Sequence, residues 1–232
     1  MMRTESDILL EFEKERELSP ELIEIIERTF DTKSELLPSR TLLDPYFKQL
    51  NVKNGSYLKS FYIREHYLKH CFVAYNHEFM KSLSILMKAN GIESAVELCA
   101  GTGWLSHWMQ KYGLDVKATD NKSWSKYKKS NNFLPLVKKQ DAVKAVKANR
   151  KTKLFILSWP YMDEVATRIW KAMKPGQMLL YIGEGHGGCT ASDSFFRAVE
   201  GHEKYLLGIT ELDDNFLRFS GIHDRPQLYR KP

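Results

Sequence analysis

The chain is predicted to fold as an α/β protein with a seven-stranded, mostly parallel, doubly wound sheet and an N-terminal helical extension. From about residue 92 onward, short apolar runs alternate with segments of helical periodicity, the pattern of successive β-α units. Before residue 90, glycines are few and apolar residues recur three and four positions apart. We therefore divide the chain into a helical region, 1–90, and an α/β core, 91–232.

The helical region has clear start and stop signals. Ser19 and Pro20 mark a helix start, because serine caps and proline is tolerated in the first turn. Apolar residues from Leu68 to Met87 are expected to share the face of one long helix. Asn90 and Gly91 then end that helix, since both tolerate the left-handed conformation of a helix C-terminus.

The α/β core is expected to contain elements in alternation. The strands are predicted near 94–98, 115–119, 133–137, 153–158, 177–182, 204–210 and 226–230, and the helices near 103–112, 122–130, 141–149, 162–173 and 191–200. Glycines punctuate the connection after the fifth strand, where four occur between residues 183 and 188.

The first β-α-β unit carries the strongest functional signal. A glycine turn, Glu97 to Gly103, joins the first strand directly to a helix, and Asp120 closes the second strand seventeen residues after Gly103. Glycine lets the backbone approach a ligand, a helix start presents unpaired N–H groups, and the acid can accept hydrogen bonds from ribose hydroxyls. The pattern predicts a nucleoside-binding site.

The details favour a cationic nucleoside over a dinucleotide. A dinucleotide fingerprint has glycine or alanine three residues after Gly103, where this chain has Ser106. Glu97 adds negative charge that a pyrophosphate would disfavour and a sulfonium would tolerate. The runs V-E-L-C-A-G-T-G and A-T-D at this spacing resemble the class I, Rossmann-like S-adenosylmethionine-dependent methyltransferases, with Cys99 where that family often has its first glycine.

The resemblance covers about the last 140 residues and implies a sheet whose last strand is antiparallel. It also implies S-adenosyl-L-methionine as the cofactor. Asp141 is the candidate for the adenine contact, and an N-cap for the following helix is an alternative compatible with it. The expected cofactor-binding residues are Glu97, Ala100, Gly101, Gly103, Asp120, Asn121, Asp141, Ala142 and Ser158.

The acceptor is expected beyond the fourth and fifth strands. Ser158-Trp-Pro-Tyr161 resembles the (Asp/Asn/Ser)-Pro-Pro-(aromatic) motif of amino-group methyltransferases, with Trp159 in place of the first proline. The glycine-rich loop contains Glu184 and His186, which can act as general bases. Tyr161, Glu184 and His186 are the candidate catalytic residues, although a flexible turn with His186 in solvent is an open alternative. The antiparallel last strand would return His223 and Asp224 to the same side.

Other features exclude several classes of function. No apolar run approaches the length of a membrane span, and the first residues lack a signal peptide's apolar region, so we expect a cytoplasmic protein without a membrane partner. Three well-separated cysteines argue against a disulfide framework. His66 and His70 could share a helical face with Tyr62, but they lack an acidic or cysteine partner, so no metal is expected.

The sequence therefore predicts an enzyme that transfers a methyl group to an O or N atom of a small-molecule acceptor. The aromatic helical region would form the acceptor's lid. A basic stretch from Lys122 to Lys153 favours a solvated face, although it keeps open an amino- or amide-group methyltransferase that acts on a nucleic acid or protein. A non-catalytic cofactor-binding scaffold is the second alternative.

Overall fold

The computed structural model describes residues 18–48, 57–123, 132–204 and 206–232. Its helices are α1 (Pro20–Thr29), α2 (Arg40–Lys48), α3 (Tyr57–Leu68), α4 (His77–Ala89), α5 (Trp104–Lys111), α6 (Ala142–Ala148), α7 (Val165–Ala172), α8 (Asp193–Val199) and α9 (Ile209–Asp214). Its strands are β1 (Ser94–Leu98), β2 (Asp115–Asp120), β3 (Val137–Lys139), β4 (Leu154–Ser158), β5 (Met178–Gly183) and β6 (Arg225–Arg230).

The strands form one sheet in the order β3-β2-β1-β4-β5-β6. Strands β1 to β5 are parallel, and β6 runs antiparallel to β5, with Gly183 opposite Arg225. The strand order reverses between β1 and β4, the position at which doubly wound sheets bind ligands beyond their strand ends. The predicted fold class is confirmed, with six strands in the described part of the chain instead of seven.

The missing strand was predicted at 204–210. There the chain turns at Gly208, whose φ is 94°, and enters α9. Ile209 and Leu212 lie three residues apart on its buried side. A Cβ on Gly208 would lie 3.0 Å from the Leu86 Cα atom, so this turn packs directly on α4. The apolar residues that suggested a strand therefore form the buried side of a helix, α9. The predicted helix at 122–130 falls mostly outside the described residues.

The long helix predicted across residues 68–87 is instead two helices, α3 and α4. The break is fixed by Asn76, which is fully buried. Its side-chain oxygen accepts from the Phe79 amide at 2.9 Å and caps α4, while its side-chain nitrogen donates to the Asn215 carbonyl at 2.8 Å. A capped helix start inside an apolar stretch is invisible to periodicity alone. The predicted end of α4 is confirmed, because Gly91 has a φ of 60° and Ile92 donates to the Met87 carbonyl.

Helices cover both faces of the sheet. Along β4, Leu154 and Ile156 point into one hydrophobic cluster and Phe155 and Leu157 into the other. The first cluster contains buried residues of α1 to α5 and α9, and the second those of α6, α7 and α8. The helices that precede β1 therefore bury their apolar residues in the same core as one face of the sheet. No described helix is both long and apolar enough to cross a membrane.

Candidate functional site

Backbone strain marks one edge of the sheet. Among the described residues, four that are not glycine have positive φ, namely Cys99 (53°), Lys122 (59°), Trp159 (48°) and Ala191 (54°). They lie in the loops that follow β1, β2, β4 and β5, so all four belong to the edge at which these parallel strands end, called here the carboxyl edge. This conformation costs an L-residue about 1–2 kcal/mol, and such strain concentrates at functional sites. The candidate site therefore lies at the carboxyl edge.

The glycine turn after β1 is tied to the end of β2. The Gly101 amide donates to Asp120 Oδ2 at 2.9 Å, and the Ala100 amide donates to the Thr119 carbonyl at 3.0 Å. Gly101 has a φ of 56°, and a Cβ built on it would meet no atom within 4 Å. The turn thus presents bare backbone to open space, the arrangement that a closely approaching ligand requires.

Gly103 has a different environment from the one expected. A Cβ on this residue would lie 2.4 Å from Val137 Cγ2, and its φ is 93°. The space beside Gly103 is therefore filled by β3. The lack of a side chain at Gly103 therefore allows α5 to pack against Val137, and the role of Gly103 in binding the cofactor stays a prediction.

Asp120 is buried at the end of β2, with 4% of its surface exposed. Its Oδ1 accepts from the Lys122 amide at 2.5 Å, and its Oδ2 accepts from Gly101. Burial raises the pKa of this carboxyl, while the two amides oppose the rise. Each oxygen keeps a lone pair for a further donor. Asn121, the next residue, is exposed.

Glu97 holds the start of α5. It is 2% exposed, and its Oε2 accepts from both the amide and the hydroxyl of Ser106, at 3.1 and 2.5 Å. Gly103 at the N-cap has no side chain to do this, so the strand-end acid takes over the cap. Burial raises the Glu97 pKa to about 7. Ser106, the departure from the dinucleotide pattern, is thus the partner of the acid.

Glu97→Gln should change how stability depends on pH. Unfolded glutamate has a pKa near 4.5 and folded Glu97 about 7, so its protonated form contributes stability that is complete below about pH 4.5 and lost as the pH rises through about 7. Glutamine does not titrate. As the pH rises through this window, we expect the free energy of unfolding of the cofactor-free variant to increase relative to that of the wild type, by up to about 1.4 kcal/mol per pH unit.

Urea denaturation at several pH values measures this difference. Because the Ser106 bonds lower the Glu97 pKa, Ser106→Ala should move the pH window upward. Parallel pH profiles for the wild type and Glu97→Gln would contradict the assignment.

Asp141 and Ala142 begin α6 beside the end of β2. The Asp141 carboxylate accepts from the Lys144 amide at 2.9 Å, so the interpretation of this residue as an N-cap is confirmed. The Gln140 amide donates to the Asp120 carbonyl at 2.9 Å, which brings this corner next to the buried acid. Ala142 is buried.

The loop after β4 departs from the amino-methyltransferase motif. Trp159 has a φ of 48°, far from the value near −65° that proline requires, so the backbone of the Pro-Pro motif is not reproduced here. This turn directs the indole toward the last loop, where its Nε1 donates to Asp224 Oδ2 at 2.8 Å. The Ser158 side chain hydrogen-bonds with the buried Tyr75 hydroxyl. Tyr161 is 61% exposed.

Glu184 organises the glycine-rich loop. Its Oε2 accepts from the Cys189 amide at 2.7 Å and its Oε1 from the His223 amide at 3.2 Å. Burial would raise its pKa, but these donors outweigh burial and lower the pKa. A carboxylate kept ionised with both oxygens engaged is a weak base. Through these two bonds Glu184 ties the glycine-rich loop to the loop before β6, and its role as a general base stays a prediction.

His186 lies at the surface of this loop. Its Nε2 is 3.3 Å from Asp193 Oδ1, and both side chains are more than half exposed. The helix after this loop, α8, begins at Asp193 with Ser192 as its N-cap. The Thr190 hydroxyl donates to the Glu184 carbonyl, which closes the loop.

The described residues contain no group of three His, Cys, Asp or Glu side chains that could hold a metal ion. The proposed histidine face does not form, because α3 ends at Leu68 and His70 lies beyond it, stacked on Phe30 with ring centroids 4.2 Å apart.

One residue at the carboxyl edge received no role from the sequence. Asp224 precedes β6 and is 1% exposed, and burial raises its pKa to about 6. The antiparallel last strand places Asp224 at this edge, but its pairing with Trp159 depends on a backbone conformation that the local sequence pattern does not reveal.

Comparison with known proteins gives structural matches alone. No family model and no curated protein matches the chain. Human N-acetylserotonin methyltransferase in complex with SAM is 13% identical, with 90% of this chain and 65% of that chain covered and a TM-score of 0.41. Mitomycin 7-O-methyltransferase is 15% identical, with 79% and 60% covered and a TM-score of 0.38.

A third match is the N-methyltransferase NodS from Bradyrhizobium japonicum, 11% identical, with 66% of this chain and 94% of that chain covered and a TM-score of 0.39. The chain spans less than two thirds of the length of the first two proteins. All three of these proteins are methyltransferases.

Proposed function

We propose that this protein is an S-adenosylmethionine-dependent methyltransferase that acts on an O or N atom of a small molecule. The observation that carries the proposal is the pair of buried acids beside the glycine turn. Glu97 is the penultimate residue of β1, and Asp120 is the last residue of the neighbouring parallel strand β2. They are 2% and 4% exposed, and each has a raised pKa. Burial and the neighbouring Asp120 carboxylate both raise the pKa of Glu97, and a cationic ligand would relieve the repulsion between the two acids.

The surrounding residues fit this cofactor. Open space at Gly101 leaves room for a ligand against the backbone, and Asp120 with Asn121 would hold the ribose hydroxyls. Asp141 and Ala142 would lie along the adenine, and Ser158 would border the reactive end. When bound, the cofactor supplies a methyl group on a cationic sulfonium. A pyrophosphate would place two further negative charges beside the buried acids, at an energetic cost.

The chain's contribution to transfer is orientation and exclusion of water. In such a site the protein gains rate mainly by holding the acceptor in line with the methyl group. Tyr161 and His186 are the proposed acceptor-side groups on the loops after β4 and β5. Glu184 would act indirectly, because it ties the β5 loop to the loop before β6.

The Trp159 backbone favours a small acceptor over an amino group on a macromolecule. Its positive φ removes the geometry in which the Pro-Pro motif grips an exocyclic amine. The basic residues proposed for nucleic-acid binding lie partly outside the described residues. Lys138, Lys139, Lys144 and Lys147 are exposed on β3 and α6.

Calorimetric titration with S-adenosylmethionine, S-adenosylhomocysteine and NAD⁺ tests the proposal. We expect both adenosyl ligands to bind and Gly101→Val to abolish binding, because the branched side chain would occupy the space left beside the turn. Gly113→Val is the matched control. Gly113 has a φ of 75° and equally open surroundings, but it lies at the end of α5, before β2 begins.

Gly113→Val should share the backbone strain and keep full affinity. Tighter binding of NAD⁺ than of either adenosyl ligand, or unchanged affinity in Gly101→Val, would overturn the proposal. Cofactor binding without turnover on any acceptor would favour the scaffold alternative.

A further inference from the structure

Asp224 has one engaged oxygen and one without a partner. Its Oδ2 accepts from Trp159 Nε1 at 2.8 Å, whereas Oδ1 is buried and has no hydrogen-bond partner among the described residues. The backbone oxygen of the same residue accepts from Arg218 Nε at 2.8 Å, so the residue is held from two sides. A buried acceptor left unpaired costs about 1–3 kcal/mol. Such a group needs an explanation in the folded protein.

The surroundings of Asp224 are aromatic. Trp159, which orients the carboxylate, stacks on Phe72 with ring centroids 5.4 Å apart and an angle of 10° between the planes. Phe72 is 43% exposed, so part of this aromatic pair faces the solvent. The loop between α3 and α4 supplies Phe72, which places the helical region beside the carboxyl edge.

The charged groups near Trp159 and Asp224 are balanced, because two guanidinium groups accompany the Asp224 and Glu184 carboxylates. The Arg64 guanidinium carbon lies 5.3 Å from the centre of the Trp159 ring, and Arg64 Nε is buried without a partner among the described residues. Arg218 contacts the backbone oxygen of Asp224. A neutral donor would satisfy the free carboxylate oxygen without repulsion from the two guanidinium groups.

We propose that Asp224 Oδ1 binds the protic group, a hydroxyl or neutral amine, of an aromatic methyl acceptor whose ring lies against the Trp159–Phe72 wall. This inference rests on the proposed function and narrows its acceptor class. Asp224 directly precedes β6, whose first residue lies opposite the end of β5, and Trp159 directly follows β4, so both residues lie at the carboxyl edge. Because Asp224 is 1% exposed, its carboxylate is sterically better suited to a slender group than to a broad protein surface.

Fluorine NMR with two matched probes tests the subsite. 4-Fluorophenol carries a donor, and 4-fluoroanisole is the same ring with the donor methylated. With the wild-type protein saturated with S-adenosylhomocysteine, we expect the phenol to bind about 10-fold or more tightly than the anisole, the range for a hydrogen bond to a charged group. In Asp224→Asn the amide oxygen can keep the Trp159 bond while the NH2 group faces the probe. The preference for the phenol should then disappear.

Asp115→Asn is the matched control, because Asp115 is exposed at the opposite end of β2 and should leave both affinities unchanged. If Asp224→Asn does not fold, the indole N–H signal of Trp159 in the wild type, assigned with Trp159→Phe, serves instead. The phenol should shift that signal and the anisole should not.

Equal binding of the two probes, no binding of either, or an unchanged preference in Asp224→Asn would overturn the subsite. Failure of S-adenosylhomocysteine to bind would instead overturn the proposed function. The probes can still be titrated against the free protein in that case, so the two failures are distinguishable.

Discussion

Gly103→Val is expected to destabilise the protein by about 3–5 kcal/mol, enough to unfold much of it. Two costs add. A Cβ at this position would overlap Val137 Cγ2, 2.4 Å away, and the φ of 93° is unfavourable for a branched residue. The nearest atoms belong to packed side chains of the segment that leads into β3, so the overlap cannot be relieved by a surface rotamer change. Urea denaturation of the ligand-free protein measures the loss.

Two further variants separate these costs. Gly113→Val has a comparable φ of 75° and no atom within 4 Å of its Cβ, so it should show the backbone cost alone. Val137→Ala removes the overlapping methyl, and the double variant Gly103→Val/Val137→Ala should be more stable than the sum of the two single losses predicts. Additive losses, or equal losses at Gly103 and Gly113, would show that Gly103 is not a packing residue.

The two turn glycines, Gly101 and Gly103, show which structural features a sequence pattern can predict and which it cannot. The spacing of Glu97, Gly101, Gly103 and Asp120 predicted a strand, a turn and a helix, and the structure confirms each of them. The pattern could not distinguish a glycine that faces open space from one that faces Val137. That difference depends on where β3 packs, which is a tertiary contact from a distant part of the chain.

Tertiary contacts also explain the other differences between the sequence-based expectations and the structure. Ser106 was identified as a departure from one fingerprint, but its bond to Glu97 appears when α5 folds back over the end of β1. The residues of α9 have apolar positions that fit a short strand or a short helix, and packing against α4 decides between them. Asp224 was placed at the correct edge by topology, whereas its partner Trp159 depends on a left-handed turn.

Asp120→Ala is expected to weaken the binding of S-adenosylmethionine by about 1.5–3 kcal/mol, or roughly 10- to 150-fold, through loss of charge-assisted hydrogen bonds to the ribose. The structure adds a second effect. Because Asp120 also accepts from the Gly101 and Lys122 amides, its removal frees the glycine turn and should lower stability as well. Titration calorimetry and denaturation of the same variant must therefore be read together.

Two controls separate the effects on binding and stability. Asp115→Ala removes an exposed acid from the other end of the same strand and should change neither quantity much. Asp120→Asn keeps one acceptor oxygen for the turn but loses the charge. If the charge matters because the ligand is cationic, Asp120→Asn should weaken S-adenosylmethionine more than the uncharged-sulfur product S-adenosylhomocysteine. Equal losses of affinity for the two ligands in Asp120→Asn would mean that Asp120 contacts the ribose alone. Full affinity in Asp120→Ala would mean that the buried acid pair does not support the cofactor assignment.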